Sequence, residues 1–116
     1  MASITAQRTD SIGVTPLAGV IGAEVEVDLA NIDDATFAEL HAAFLKYLVL
    51  VIPGQRLSSG QQAAFARRFG DLYTYPHAPG IAENKDVLPI NMPDGLRMGR
   101  WHSDATFDEV PPVISI

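Results

Sequence analysis

The spacing of apolar side chains predicts a first helix from about Asp33 to Tyr47. Apolar residues recur there every three or four positions, as in a helix with one apolar face: Phe37, Leu40, Phe44 and Leu48. Acidic residues are concentrated at the amino-terminal end of the segment, where the helix dipole favours negative charge. His41 lies beside the apolar stripe, and we interpret it as a packed or boundary histidine and not as a ligand.

A second helix is predicted to follow Ser58. Ser58 and Gln61 have the spacing of a capping box, in which each residue satisfies a free backbone N–H of the other. Gly70 is suited to the left-handed conformation beyond a helix end, and the helix is expected to end there. The apolar residues of this segment are expected to face the core: Phe65, Ala66 and Phe69.

Strands are predicted from shorter patterns. Residues 23–27 alternate between apolar and acidic side chains, which indicates a half-exposed strand. Residues 48–52 are apolar throughout, which is typical of a strand covered on both faces, and Pro53-Gly54 closes it. Residues 86–91 are a further candidate strand, which Pro89 limits to an edge strand or an irregular segment. Residues 112–116 resemble another strand. Residues 73–84 and 92–99 are rich in Pro and Gly and are expected to be loops. The patterns alone indicate a mixed α and β domain.

Composition excludes several classes of protein. A chain of 116 residues with 47% hydrophobic content is one domain at most. Its net charge of −6 argues against non-specific nucleic-acid binding. The absence of cysteine excludes disulfides and thiolate metal ligands, so a metal must take N and O ligands. The apolar run at residues 48–52 is too short to span a membrane, and residues 1–10 lack the apolar core of a secretory signal. We therefore expect a cytoplasmic protein.

The main candidate for chemistry is His102-Ser103-Asp104. In an extended segment residues i and i+2 project from the same face, so His102 and Asp104 could reach one metal ion. A two-His, one-carboxylate site for non-haem Fe(II) needs a second histidine as third ligand, which the sequence to Ile116 does not supply. The alternative to a metal site is a surface hydrogen bond between the histidine and the aspartate, and the three-residue pattern alone does not exclude it.

Several ordered motifs supply that context, from about Ile12 to Ile116. In order along the chain they are Val14-Thr15-Pro16-Leu17, Ile21-Gly22-Ala23-Glu24-Val25, residues 47–55, Leu57-Ser58-Ser59-Gly60-Gln61-Gln62, Phe65-Ala66-Arg67-Arg68-Phe69-Gly70, and residues 101–107 followed by Pro111-Pro112. Together these segments resemble the amino-terminal part of the TauD/TfdA family of Fe(II)- and 2-oxoglutarate-dependent dioxygenases. The resemblance implies an α+β, mostly β fold: an incomplete double-stranded β-helix, the cupin-like jelly roll, with two flanking helices. Residues 1–116 would be the amino-terminal portion of one such domain, with the carboxy-terminal half of the barrel absent.

The resemblance also implies a reaction. His102 and Asp104 would be ligands of Fe(II), and Trp101 would pack to fix the ligand strand. The co-substrates would be 2-oxoglutarate and O2, and the products would be succinate, CO2 and a hydroxylated small molecule that carries a sulfonate, sulfate ester or aryloxy group. No residue of this chain is assigned to 2-oxoglutarate. The chain by itself is expected to be inactive.

Family resemblance places substrate contacts in two segments. They are the loop after the second helix and the residues just before Trp101, and the candidates are Tyr75, His77, Asn91 and Arg100. Taurine-cleaving members carry His-Pro where this chain has Tyr75-Pro76, and asparagine where it has Met98. These departures argue against taurine. Leu96 and Met98 are equally compatible with a larger or more apolar substrate.

Two other interpretations stay open. The chain could be a non-catalytic remnant that serves as a binding domain, because two ligands without a third hold iron weakly. The His-x-Asp pair could also serve a hydrolytic Zn site, which uses N and O ligands as well. The expected partner is a small molecule, with no nucleic acid and no membrane, and a homo-oligomer is compatible with the sequence.

Overall fold

The computed structural model describes residues 12–91 and 99–116. Leu96, Met98, nearly all of the predicted 92–99 loop and the amino-terminal residues 1–11 lie outside the described residues. The chain forms two compact units, Met1–Leu57 and Ser58–Ile116.

The first unit contains a small mixed sheet. Strand β1 (Gly13–Pro16) pairs antiparallel with β2 (Ala23–Glu26), and β2 pairs in parallel with β3 (Leu50–Val51). Burial alternates along β2, where the two apolar side chains are fully buried and Glu26 is exposed. The predicted half-exposed strand is therefore confirmed, with the apolar side of its pleat facing the core.

Helix α1 (Asp34–Tyr47) confirms the first predicted helix. Asp33 is its N-cap, and its carboxylate accepts a hydrogen bond from the Thr36 N–H at 2.7 Å. Leu40 is almost fully buried. The predicted apolar stripe is wrong at Leu48, because this residue takes the left-handed conformation (φ +65°) as the C-cap and its side chain is exposed. The core of this unit consists of residues from the sheet, from a 3-10 turn at Leu29–Asn31 and from α1: Ile12, Val14, Ala23, Val25, Leu29, Leu40 and Ala43.

The strand predicted at residues 48–52 is shorter and more exposed than expected. Only Leu50 and Val51 are in strand conformation, and Val49 and Val51 are 50% and 45% exposed. Among the described residues β3 pairs only with β2. Its side chains are therefore not enclosed on both faces, and the prediction of full coverage is wrong for this part of the chain.

The second unit begins with helix α2 (Ser59–Ala66). The Ser58 N–H donates to the Gln61 side-chain oxygen at 2.9 Å, and the Gln61 N–H donates to Ser58 Oγ at 3.2 Å, which confirms the capping box. The helix ends at Ala66 and not at Gly70, although Gly70 does adopt a positive φ of +146°. Of the three predicted core residues of this segment, Phe65 is buried, while Ala66 and Phe69 are half-buried.

The capping box predicts a measurable contribution to stability. Ser58→Ala removes the acceptor of the Gln61 N–H, and we expect it to lower the free energy of unfolding by about 1 kcal/mol. Urea denaturation followed by circular dichroism measures this change. Ser59→Ala removes a hydroxyl from the adjacent residue, outside the capping box, and serves as the matched control. An equal loss in both variants would contradict the assignment of Ser58 as the cap.

The remainder of the second unit is irregular. Residues 112–116 contain no strand, so the strand predicted there is wrong, while residues 86–91 form the irregular segment that Pro89 also allowed. Among the described residues outside the sheet, an isolated bridge joins Ile81 to Asn84. The ladder hydrogen bonds that a strand requires have no partner strand among the described residues of this unit. Helical residues outnumber strand residues in the part of the chain that the structure describes, so this part is mixed α and β and not mostly β. None of its helices has the length and apolar character needed to span a membrane.

Candidate metal centre

His102 and Asp104 lie side by side in the second unit. Nε2 of His102 is 3.2 Å from Oδ1 of Asp104, and about half of each side chain or more is open to solvent (53% and 66%). The expectation of a β-strand at this segment is wrong. Residues 101–103 are irregular, and a turn begins at Asp104. The prediction that these two side chains share one side of the chain is nevertheless confirmed by the contact.

The backbone of Arg100 orients the histidine ring. Nδ1 of His102 lies 2.7 Å from the Arg100 carbonyl oxygen, which can only accept, so Nδ1 carries the hydrogen in this contact. In the neutral ring Nε2 then presents its lone pair on the side of Asp104, as a metal ligand requires. The Arg100 carbonyl and, to a lesser extent, the Asp104 carboxylate raise the pKa of His102, because both stabilise the imidazolium form.

The donor pair fits two neighbouring positions around a metal. Two neighbouring donor atoms of an octahedral ion each lie about 2.1 Å from the ion and make an angle of about 90° at it, so they are about 3 Å apart. The distance between His102 Nε2 and Asp104 Oδ1 is 3.2 Å. One imidazole nitrogen and one carboxylate oxygen suit borderline divalent ions such as Fe(II), Mn(II) and Zn(II). No third His, Asp or Glu joins the pair within residues 12–91 and 99–116.

The raised pKa of His102 leads to a prediction on pH. Asp104→Asn removes one of the groups that raise the pKa of His102, so this pKa should fall. It should stay above the ordinary value of 6.5, because the Arg100 carbonyl, the largest cause of the rise, is still present. A proton on Nε2 competes with a metal, and metal affinity should therefore fall as the pH drops through this raised pKa. NMR titration of the imidazole C–H resonances measures the shift. Asp71→Asn is the control, since an equal shift there would show a non-specific charge effect.

The chain turns sharply after Asp104. Ala105 is buried and adopts a left-handed conformation (φ +49°), which is uncommon for a residue other than glycine. The N–H of Asp108 donates to the Ala105 carbonyl at 3.0 Å and closes the turn. The direction of the Asp104 side chain is thus coupled to a turn whose conformation needs support from its surroundings.

Trp101 does not have its predicted role among the described residues. Its side chain is fully exposed and does not pack to fix the ligand segment. It lines a hollow of about 270 Å³ together with Gly99, Arg100 and His102. The prediction of a packed tryptophan is wrong for the part of the chain that the structure describes, because no described residue covers the indole.

Two of the four predicted substrate residues lie against the segment that follows Asp104. The Tyr75 ring is 6.1 Å from the His77 ring and 6.3 Å from the Phe107 ring, in both cases near perpendicular. His77 and Phe107 are 6.1 Å apart. The Tyr73 ring lies 6.1 Å from Tyr75. We call these four rings the aromatic cluster, and they bring the loop after α2 to the turn at residues 104–107.

The other two predicted substrate residues are not joined to this cluster. Arg100 contributes its carbonyl to His102 and lines the hollow beside it. Asn91 is exposed at the end of a described range. Within residues 12–91 and 99–116 it forms no hydrogen bond with His102 or Asp104. Its predicted role stays a prediction. Met98 lies outside the described residues. His41 stacks on Phe37 at 6.0 Å within α1, half-buried, in agreement with its interpretation as a boundary histidine.

Sequence reasoning missed one pair of residues. The Tyr73 hydroxyl donates a short hydrogen bond to the Asp108 carboxylate, across 35 positions of sequence. No local pattern connects a tyrosine in one loop to an aspartate in another. The only available signal was the proximity of each residue to a segment already assigned to the site.

Comparisons with known proteins identify the family of this chain. Residues 13–116 match the profile of the family described as "Taurine catabolism dioxygenase TauD, TfdA family". The chain belongs to this family. The match to the TauD/TfdA profile covers the sheet, both helices and the His102–Asp104 pair.

Individual relatives are similar over most of this chain but are much longer. An (S)-phenoxypropionate/alpha-ketoglutarate-dioxygenase of Delftia acidovorans is 38% identical over 105 residues, which is 90% of this chain and 34% of that protein. An alpha-ketoglutarate-dependent sulfate ester dioxygenase of Pseudomonas putida is 34% identical over 97% of this chain and 38% of its own length. This chain therefore spans little more than a third of these relatives.

The crystal structure of a taurine dioxygenase from Burkholderia xenovorans superposes with a TM-score of 0.59 and 33% identity. The match covers 65% of this chain and 28% of that one. This chain thus resembles part of the fold of a solved taurine dioxygenase.

Proposed function

We propose that this chain carries two of the three protein ligands of a non-haem Fe(II) centre in a 2-oxoglutarate-dependent dioxygenase. The observation that carries the proposal is the 3.2 Å contact between His102 Nε2 and Asp104 Oδ1, with Nδ1 of the ring engaged by the Arg100 carbonyl. This arrangement presents one nitrogen and one oxygen donor to the same point in space. Membership of the TauD/TfdA family supports Fe(II) as the metal.

The protein groups have defined tasks in this reaction. The Arg100 carbonyl holds the ring so that Nε2 is free for the metal, and Asp104 supplies a negatively charged donor beside it. When the imidazole is protonated, the proton on Nε2 must leave before a metal can bind there. Bound Fe(II) would supply the chemistry by which O2 oxidises 2-oxoglutarate to succinate and CO2 while one oxygen atom hydroxylates a substrate C–H.

The substrate proposed is a small anionic molecule with an apolar body. The names of the relatives contain three compounds: phenoxypropionate, sulfate esters and taurine. Each of these compounds has a small organic group attached to a carboxylate, sulfate or sulfonate. The aromatic cluster supports an aryl or alkyl body, since Tyr75 and Phe107 present ring faces and edges next to the ligand segment. His77 would supply a polar group for the anion. Tyr75 in place of the His of taurine-cleaving members favours an aryloxy acid or sulfate ester over taurine.

The fold proposed for the whole domain is the jelly-roll barrel of this family. The mixed sheet and the two helices would be its amino-terminal part, and the third metal ligand and the 2-oxoglutarate site would lie on polypeptide beyond the residues described here. A homo-oligomer is compatible with this arrangement.

The test is turnover by the protein that contains this chain. We expect succinate to form from 2-oxoglutarate only with Fe(II) and O2 present, and faster when phenoxypropionate or an alkyl sulfate is added. Taurine carries a sulfonate together with an ammonium group; it is the comparison substrate and should stimulate less. Hydrolysis in anaerobic buffer with Zn(II) would instead identify a hydrolase, and no turnover with either metal would identify a non-catalytic binding domain.

A further inference from the structure

The Tyr73–Asp108 contact joins two segments that converge on the candidate metal centre. The Tyr73 hydroxyl donates to Oδ2 of Asp108 in a part-buried position. The carboxylate accepts this hydrogen bond and its charge opposes a phenolate, so the pKa of Tyr73 is raised to about 12. The hydroxyl therefore stays a donor throughout the physiological pH range.

The Tyr73 side of this contact is held in place from α2. Thr74 Oγ1 lies 3.4 Å from Asp86, and Asp86 forms an ion pair with Arg67, the C-cap of α2, at 2.6 Å. Tyr73 and Tyr75 pack ring against ring, as residues i and i+2 of an extended segment can. One side of the loop is thus tied to the end of α2, and the other faces the turn after Asp104.

The Asp108 side of the contact holds that turn. The Asp108 N–H closes the turn on the Ala105 carbonyl, while its carboxylate is held by Tyr73. Ala105 is in a left-handed conformation that an alanine seldom adopts unless its surroundings impose it. A residue that is fixed through both its backbone and its side chain can impose that conformation on the preceding three residues.

We propose that Tyr73 and Asp108 form a clasp that holds the turn after Asp104, so that the Asp104 carboxylate stays beside His102 Nε2. The metal-binding consequence of this clasp rests on the proposed function of the His102–Asp104 pair. Tyr73 is a positioning residue, because it acts through Asp108 and the turn and not on the metal. Without the clasp the turn samples other conformations, and the apparent metal affinity falls by the fraction of time that Asp104 is out of place.

The clasp is tested first without metal, by hydrogen exchange on the 116-residue chain. Tyr73→Phe keeps the ring and removes only the hydroxyl, and we expect exchange of the Asp108 amide to be about tenfold faster. Asp108→Asn keeps a side-chain oxygen that can accept from Tyr73, and the backbone amide at this position should remain close to the wild-type rate. Tyr47→Phe, the same change within α1, is the matched control. Unchanged exchange at residue 108 in Tyr73→Phe would overturn the clasp.

The positioning role is tested with Mn(II), whose binding broadens nearby NMR resonances. We expect Tyr73→Phe and Asp108→Ala each to weaken Mn(II) binding by about tenfold, the lower end of the range for residues that support metal ligands. The double variant should be no weaker than either single variant, and Asp108→Asn should recover most of the affinity. Asp108→Ala also serves as the second variant if Tyr73→Phe perturbs folding.

The outcomes separate this inference from the proposed function. Faster exchange with unchanged Mn(II) affinity in Tyr73→Phe would reduce the contact to a local structural one and overturn its positioning role. A wild-type chain with a protected Asp108 amide but no Mn(II)-induced broadening near His102 would overturn the metal site and leave the clasp intact.

Discussion

Replacing Asp104 or His102 by alanine is expected to abolish specific metal binding by this chain. Each variant removes one of the two donor atoms that meet at 3.2 Å, and within residues 12–91 and 99–116 no third His, Asp or Glu joins the pair to replace it. Loss of a direct ligand should weaken Mn(II) binding by more than about 100-fold, because loss of residues that merely support ligands already costs about 10- to 100-fold. NMR line broadening on titration with Mn(II) measures the affinity of the chain directly.

Two matched variants control for general effects of charge and histidine loss. Asp71→Ala removes an exposed carboxylate at a distant position of sequence, and His41→Ala removes a histidine that stacks on Phe37 in α1. Both should bind Mn(II) like the unchanged chain. If either control weakened binding as much as Asp104→Ala does, the metal would be held by diffuse negative charge and the assignment of the pair would have to be given up.

The largest effect on stability is expected from Leu40→Ala. Leu40 is 1% exposed and is the main buried side chain of α1, and truncation leaves a cavity in the core of the first unit. We expect the free energy of unfolding to fall by about 2–5 kcal/mol. Urea denaturation followed by circular dichroism gives this value.

Leu45→Ala is the control for this prediction because it makes the same chemical change in the same helix. The Leu45 side chain is 63% exposed, so its loss should change the free energy of unfolding by no more than about 0.5 kcal/mol. Equal losses at both positions would mean that α1 does not bury the face described here.

The two helices were predictable from local signals, and the strands were predictable only in part. The N-cap aspartate of α1 and the capping box of α2 act within four residues, and α1 begins and ends at the predicted positions. The strand at residues 23–27 was read correctly because its alternating pattern reflects one buried and one open face. The strands predicted at residues 48–52 and 112–116 are respectively shorter than expected and absent, because an apolar run becomes a strand only where another strand supplies hydrogen bonds.

The candidate site was also predictable only in part from the sequence. The His-x-Asp spacing by itself determined that an imidazole and a carboxylate could meet, because residues two apart can share one side of an extended chain. The Arg100 carbonyl, two residues before His102, orients the ring locally. Only the tertiary structure brought Tyr73 to Asp108, at the turn that follows Asp104.

The sequence alone therefore determined that an imidazole and a carboxylate could meet, where the two helices begin, and that thiolate ligands are excluded. The tertiary structure decided which loop lies beside the donors and which apolar segments are covered. The physical reason is range. Capping and side-chain alternation depend on neighbours within a few residues, whereas Tyr73 reaches Asp108, and Tyr75 reaches Phe107, only once the chain has folded back on itself.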